Sequence, residues 1–235
     1  MTVALLAALL LTRLQGAPGS PPFHPRPLSA FDRAKAEWLL RNRLPCLGCH
    51  ELGGEGGRIG PSLSELKRLR PPDYVYAMIR DPQRTVPGTV MPRVPMGQAT
   101  LELIASYLVQ REPTRSSAAP ILPPAAGSEQ AQPGTAAALY ARTCAPCHGA
   151  RGGGDGPNAR FLPVRPTVHA DSAYMSTRSH DALFDAISAG GYVLNRSNRM
   201  PPFGQTLTRE QISGLVRHLR VLCGCEGPAW SRDNR

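Results

Sequence analysis

The sequence is poor in aromatic residues, which make up 6% of its 235 residues. Large rings normally supply much of the bulk in a core, so a bound cofactor would fill the interior of this chain well. No apolar run reaches the roughly 20 residues that a membrane span needs, which excludes a polytopic membrane protein. No apolar/polar alternation is long enough to predict a useful strand, and the expected fold class is all-α.

Lysine is almost absent: Lys35 and Lys67 are the only two, and arginine carries most of the formal charge of +10. The basic residues are spread along the chain and form no run interleaved with aromatic residues. This pattern argues against nucleic acid as a partner. The excess positive charge favours partners with acidic surfaces.

The first residues of the chain resemble a targeting segment. Residues 3–11 are unbroken apolar residues, and small residues dominate positions 16–20. The pattern predicts a signal peptide over residues 1–19 and export, to the periplasm or the periplasmic face of a membrane. No basic residue precedes the apolar run and no clean A-x-A site follows it, so an uncleaved anchor is the alternative.

A segment rich in Pro, Ala and Ser divides the rest of the chain. Residues 113–133 predict a linker between two segments, 20–112 and 134–225, followed by a tail over residues 226–235. The same features recur in each segment in the same order: an amphipathic helix, a C-x-x-C-H motif, a Gly-rich loop, a middle helix, a Met-Pro dipeptide and a closing helix. We therefore predict two tandem domains of similar architecture.

Four of the six cysteines lie in two short motifs, CLGCH at residues 46–50 and CAPCH at residues 144–148. C-x-x-C-H is the signature of covalent haem attachment: two thiols bind the vinyl groups of one porphyrin, and the histidine lies under the iron. A shared zinc site, a thioredoxin-like redox pair and structural disulfides are alternatives, but the motifs lie far apart and no βαβ pattern surrounds them. The predicted attachment residues are Cys46, Cys49, His50, Cys144, Cys147 and His148.

These segments resemble the class I cytochrome c family. The resemblance covers about residues 28–110 and 134–222, and it rests on CLGCHELGGEGGRIGPSL with MPRVPMGQATLELIASYL and on CAPCHGARGGGDGPNARFLP with MPPFGQTLTREQISGLVRHLR. It implies a few helices wrapped around one covalently bound haem c in each domain, two haems in all. It also implies that a proline carbonyl after each motif steadies the ligand histidine, and Pro61 and Pro157 match that position.

Each iron needs a second ligand opposite its histidine. Met91 and Met200 each precede a proline just ahead of a closing helix, as the resemblance implies for the axial methionine. Proline stiffens such a loop. Met96 is the rival of Met91, and His169 is a further possible donor. The predicted iron ligands are His50, Met91, His148 and Met200.

An iron held by histidine and methionine has no vacant position and transfers electrons. The sequence therefore predicts a dihaem electron carrier or electron-transfer subunit with no catalytic residues of its own. Its partners would be redox proteins with acidic docking surfaces, and a membrane respiratory complex is a further candidate. The alternative is a dihaem redox enzyme, peroxidase-like or thiosulfate-oxidising, with one open haem site. The leftover Cys223 and Cys225 carry no histidine, and a disulfide between residues two apart is disfavoured.

Overall fold

A computed structural model of the chain describes residues 22–114 and 134–231, termed here the N-terminal half and the C-terminal half. The predicted signal peptide and most of the predicted linker lie outside the described residues. Within the described ranges, no helix is both long enough and apolar enough to cross a membrane.

The N-terminal half consists of helices and loops with one very short hairpin. Its strands, β1 (Glu51–Leu52) and β2 (Glu55–Gly56), pair antiparallel directly after the first C-x-x-C-H motif. The α-helices of this half are α1 (Ala30–Asn42), α2 (Leu66–Leu69), α3 (Pro72–Arg80), α4 (Pro82–Thr85) and α5 (Gln98–Gln110).

The C-terminal half contains helices and loops, and no strand among its described residues. Its α-helices are α6 (Ala136–Thr143), α7 (Ala145–His148), α8 (Ser172–Ser176), α9 (His180–Val193) and α10 (Arg209–Cys223). Gly190, with φ of 77° and ψ of 177°, interrupts the helical backbone of α9. This is the position at which the sequence predicts the middle helix to end. The described residues thus have the expected all-α fold class.

Each half has its own buried apolar cluster. The N-terminal cluster is centred on α1 and α5 and includes Leu40 and Ile104. The C-terminal cluster is centred on α10 and includes Tyr140, Ile212 and Leu215. Helix α10 therefore buries the face that its i, i+3, i+4 spacing predicts, whereas α5 is buried on all sides from Leu103 to Val109.

Helix α1 differs from its predicted packing. Phe31, Ala34 and Trp38 share one helical face in the sequence, a pattern that predicts packing against the core, yet Phe31 and Trp38 are 74% and 54% exposed. The buried residues of α1 are Ala36 and Leu40, which lie one turn apart on a different face. A small alanine lets the helix approach its neighbours closely, and the large rings are left on the outer side.

Side-chain caps fix the start of α1 and of α10. Ser29 and Asp32 form a reciprocal capping box at α1, and Thr208 and Gln211 form one at α10. Each box satisfies backbone N–H groups that a helix end leaves without a partner. The spacing of these pairs, three residues apart, predicts both boxes from the sequence alone. Thr100, just before Leu101, likewise predicts a helix start, but α5 begins earlier, at Gln98 after Gly97.

Replacing Thr208 by alanine should lower the free energy of unfolding by about 1 kcal/mol, because the N–H of Gln211 loses its acceptor. Denaturant unfolding of the haem-loaded chain measures this change. Thr100→Ala is the matched control, because no side chain caps α5. An equal loss in both variants would contradict the role of the capping box.

Candidate haem site

The first C-x-x-C-H motif forms a tight turn. The 3₁₀ turn Pro45–Gly48 carries Cys46, and the N–H of His50 donates to the Cys46 carbonyl over 2.9 Å. Nδ1 of His50 lies 2.8 Å from the carbonyl oxygen of Pro61. A carbonyl can only accept, so Nδ1 carries the proton and Nε2 keeps its lone pair for a metal. This contact is the one predicted for Pro61.

The second motif lies in α7 rather than in a 3₁₀ turn, but its histidine makes the same two kinds of contact. The N–H of His148 donates to the carbonyl of Cys144 over 2.9 Å. Nδ1 of His148 lies 2.9 Å from the carbonyl oxygen of Thr167. Here too the imidazole is held in the tautomer that leaves Nε2 free to bind iron.

The predicted role of Pro157 is wrong. Its carbonyl is not the partner of His148; Thr167, 19 residues after that histidine, takes the role. In the N-terminal half the corresponding separation is 11 residues. The loop after the second motif is longer, and it brings a later backbone segment beneath the imidazole. Pro157 itself is exposed.

The second motif opens onto a cavity of about 700 Å³. This volume lies in the range of ordinary cofactor pockets. Apolar side chains such as Ile187, Phe203 and Leu215 form much of its wall. The wall also contains the donors predicted for the second haem: Cys144, Cys147, His148 and Met200.

Buried arginine atoms at this cavity lack partners. Nε of Arg178 and both Nε and Nη1 of Arg199 are buried without a hydrogen bond, and both side chains line the cavity. Buried donors in native proteins are nearly always satisfied. A haem brings two propionate carboxylates that can accept such bonds. Two thiols, a free imidazole nitrogen, a thioether and unpaired guanidinium donors therefore fit a covalently bound haem.

The backbone around Met200 is fixed by the break in α9. Gly191 donates its N–H to the Met200 carbonyl over 3.0 Å. A side-chain carbon on Gly190 would come within 2.9 Å of the same carbonyl oxygen. Only glycine tolerates both the positive φ and this close approach. The kink thus holds the loop that carries the methionine against the cavity.

The other methionines occupy distinct places. Met175 has no following proline and lies early in its loop, which argues against it as an axial ligand, yet it is 1% exposed and lines the cavity. In the N-terminal half Met96 packs against the apolar cluster. Met91 is half-buried, and its carbonyl accepts from Nε2 of Gln83 over 2.7 Å.

His169 lies against the ligand histidine. Its ring stacks on that of His148 with centroids 4.0 Å apart and an interplanar angle of 12°. Nδ1 of His169 is 3.1 Å from the Tyr140 hydroxyl, which donates to the Gly149 carbonyl. Burial, helped by the neighbouring His148, lowers the pKa of His169 to about 2. His169 is therefore a neutral side chain packed beside the predicted ligand.

The motif thiols are desolvated. Burial raises the pKa of Cys46 to about 11, of Cys49 to about 12 and of Cys144 to about 11. Burial also raises the pKa of Cys147. Thiols with such pKa values stay protonated at neutral pH, and it is the thiolate that exchanges disulfides. The surroundings therefore disfavour a thioredoxin-like redox pair.

Cys223 and Cys225 form a disulfide, contrary to the sequence expectation. The intervening Gly224 adopts a left-handed conformation with φ of 55° at the end of α10. That turn brings the two Cα atoms to 5.1 Å, a separation that disulfides ordinarily span.

The two motif loops, which are the C-x-x-C-H motifs with the segments that follow them, contact each other. The N-terminal half and the C-terminal half therefore meet at this point. Gly48 of the first motif lies so close to Arg199 that a side-chain carbon there would overlap the Arg199 carbonyl oxygen. Cys49 of the first motif lines the cavity of the second. The amide of Asn158 binds the Gly48 carbonyl and accepts from the Arg58 N–H. Sequence reasoning found none of these contacts, because no local pattern reports them.

Comparison with known proteins identifies the type of domain for one part of this chain. No curated protein matches it. One of the similar solved structures is a reducing HAO-like protein complex of Kuenenia stuttgartiensis, with 17% identity over 84% of this chain and 98% of that one and a TM-score of 0.32. Residues 131–219 match the family model described as cytochrome c oxidase, cbb3-type, subunit III. The C-terminal half therefore contains a cytochrome c-type domain, a kind of domain that binds haem c covalently and transfers electrons.

Proposed function

We propose that the chain is a dihaem c-type cytochrome that relays electrons between a membrane or periplasmic donor and an acceptor such as an oxidase or a reductase. One observation carries the proposal: both C-x-x-C-H loops hold their histidine by a carbonyl on Nδ1. The family match covers the second motif, and the first repeats its sequence and local geometry. Residues 20–112 and 134–225 would then be tandem domains joined by the linker 113–133.

Each haem would be held by the residues of its own motif. Cys46 and Cys49 would form the thioethers of the first haem and Cys144 and Cys147 those of the second, with His50 and His148 as proximal ligands. Met200 is the proposed distal ligand of the second haem. Met91 is proposed for the first, with Met96 as its rival. Bound in this way, haem supplies a reversible one-electron couple at each site.

Location and partners belong to the same proposal. The apolar run over residues 3–11 supports export to the periplasm. Four propionates from two haems would reduce the bare-chain charge of +10 to about +6 before the iron is counted. That remaining charge supports docking to acidic surfaces of redox partners, including subunits of a respiratory complex.

Haem stoichiometry and ligand variants test this function. The protein matured in a haem-attaching host should carry two covalent haems by intact mass, and its ferric form should show the weak red band of methionine-bound iron. Met200→Ala should remove that band from the second site and let the reduced protein bind carbon monoxide there, because the sixth position opens. The ligand of the first site is identified by comparing the red band in Met91→Ala with that in Met96→Ala.

Met78 provides the control for these variants. It lies on α3, half-buried, and we expect Met78→Leu to keep both the red band and the resistance to carbon monoxide. If the unmodified protein bound carbon monoxide when reduced, this result would contradict the proposed electron carrier. It would favour the alternative, a dihaem redox enzyme with one open haem site. A chain with a single haem would contradict the dihaem proposal.

A further inference from the structure

Asn158 joins the two motif loops. Its Nδ2 donates to the Gly48 carbonyl over 2.9 Å and lies 3.2 Å from Sγ of Cys147. Its Oδ1 accepts a hydrogen bond from the backbone N–H of Arg58 over 2.7 Å. The Arg58 N–H can only donate, so the oxygen must face it, and this fixes the orientation of the amide.

The position of Asn158 is tightly constrained. The residue is 1% exposed, and its side chain makes three hydrogen bonds, to Gly48, Arg58 and Cys147. A side-chain carbon on Gly57 would come within 2.8 Å of both amide atoms of Asn158. A buried amide with its donors and acceptor engaged has one arrangement, and it holds its partners at a fixed separation.

The contacts of Asn158 form a short path between the sites. The Cys147 sulfur is one of the two atoms that would bind the second haem, and as a thioether it has no hydrogen and can only accept. The Gly48 carbonyl carbon is bonded to the nitrogen of Cys49, whose sulfur would bind the first haem. Two hydrogen bonds from one amide group thus connect the covalent attachments of both haems.

We propose that Asn158 is the positioning residue for electron exchange between the two haems, an inference that rests on the proposed dihaem function. Its side-chain hydrogen bonds hold the sulfur of Cys147, which would bind the second haem, next to the Gly48–Cys49 segment, which would bind the first. The exchange moves one electron between the irons, so one site is oxidised as the other is reduced, and neither a proton nor a co-reactant is consumed.

A second asparagine provides a matched control. Nδ2 of Asn198 donates to the carbonyls of Arg41 and Leu44, each over 3.2 Å. Asn198 therefore makes two hydrogen bonds between the halves, as Asn158 does. Its amide contacts no cysteine of either motif. Asn158→Leu and Asn198→Leu remove equal numbers of contacts between the halves, and only the first removes the contact to a haem-binding sulfur.

The test compares these variants as full-length, haem-loaded proteins. After one site is reduced by a fast pulse, Asn158→Leu should slow electron exchange between the haems about tenfold, equivalent to about 1.4 kcal/mol in activation free energy. Asn198→Leu should exchange at a rate close to that of the unmodified chain. Hydrogen exchange gives a readout apart from electron transfer: the Arg58 amide should exchange faster in Asn158→Leu and not in Asn198→Leu.

Further measurements separate the possible failures. Haem content of the unmodified chain is determined first, and a single haem would overturn the proposed function and this inference with it. With two haems present, equal slowing of electron exchange in Asn158→Leu and Asn198→Leu would show that Asn158 only helps to hold the halves together. That result would overturn the inference. An unchanged rate in Asn158→Leu would do the same. If the leucine variant fails to fold, Asn158→Ser, whose hydroxyl is too short to reach both partners, carries the same expectation.

Discussion

Gly48→Ala is expected to separate the two halves of the chain. The added methyl group would overlap the backbone carbonyl oxygen of Arg199, which no side-chain rotation can move aside. Forcing extra atoms into a packed contact costs about 1–3 kcal/mol, enough to shift a docked arrangement by one to two orders of magnitude. Small-angle scattering should show a larger radius of gyration, and backbone amides at the contact should exchange faster.

Two features make this result specific. Gly48 occupies a variable position of C-x-x-C-H, so haem attachment should be retained. Gly214→Ala is the control: its methyl group would meet Ala136 Cβ of α6 at 3.5 Å, an ordinary van der Waals contact between α10 and α6. Alanine there should raise the free energy of unfolding by up to about 1 kcal/mol. A Gly48→Ala protein with unchanged scattering would show that the backbone contact does not hold the halves together.

Removing both thioethers of the second motif is expected to unfold the C-terminal half. Cys144→Ser together with Cys147→Ser should cost the chain one haem. The apolar side chains that line the cavity of about 700 Å³ would then lose their contacts with the porphyrin and face water instead. Native domains are stable by only about 5–15 kcal/mol, so we expect the loss of these contacts to leave the C-terminal half unfolded. Haem content by mass, together with circular dichroism during thermal unfolding, measures the outcome.

The second cysteine pair of the same half is the control. Cys223→Ser with Cys225→Ser removes the disulfide that follows α10. Neither residue lies on the cavity wall, so the haem content should be that of the unmodified chain. If the double variant of the motif cysteines kept all its haem and its helical signal, the attachment sites would lie elsewhere.

Local features of the sequence predict much of the fold. Ser29 with Asp32 and Thr208 with Gln211 place helix starts correctly, because a capping box involves residues only three apart. The buried face of α10 follows from helical periodicity. The motif turns and the contact of His50 with Pro61 depend on short segments of chain. These are interactions that a single stretch of sequence encodes.

Other features depend on residues far apart in the chain. Asn158 and Gly48 are 110 positions apart, and nothing in either neighbourhood reports their contact. The length of the loop after the second motif decides that Thr167, rather than Pro157, supports His148. The exposure of Trp38 on α1 reflects which neighbours the helix meets, which its own amphipathic pattern does not specify.

The shared wall of the cavity has a consequence for biogenesis. Cys49, Ile59, Val90 and Pro92 of the N-terminal half help to enclose the space that the second porphyrin would fill. A rigid macrocycle enters most easily while that wall is absent. On the proposed dihaem function, haem would therefore be attached to the second motif before the two halves close over it.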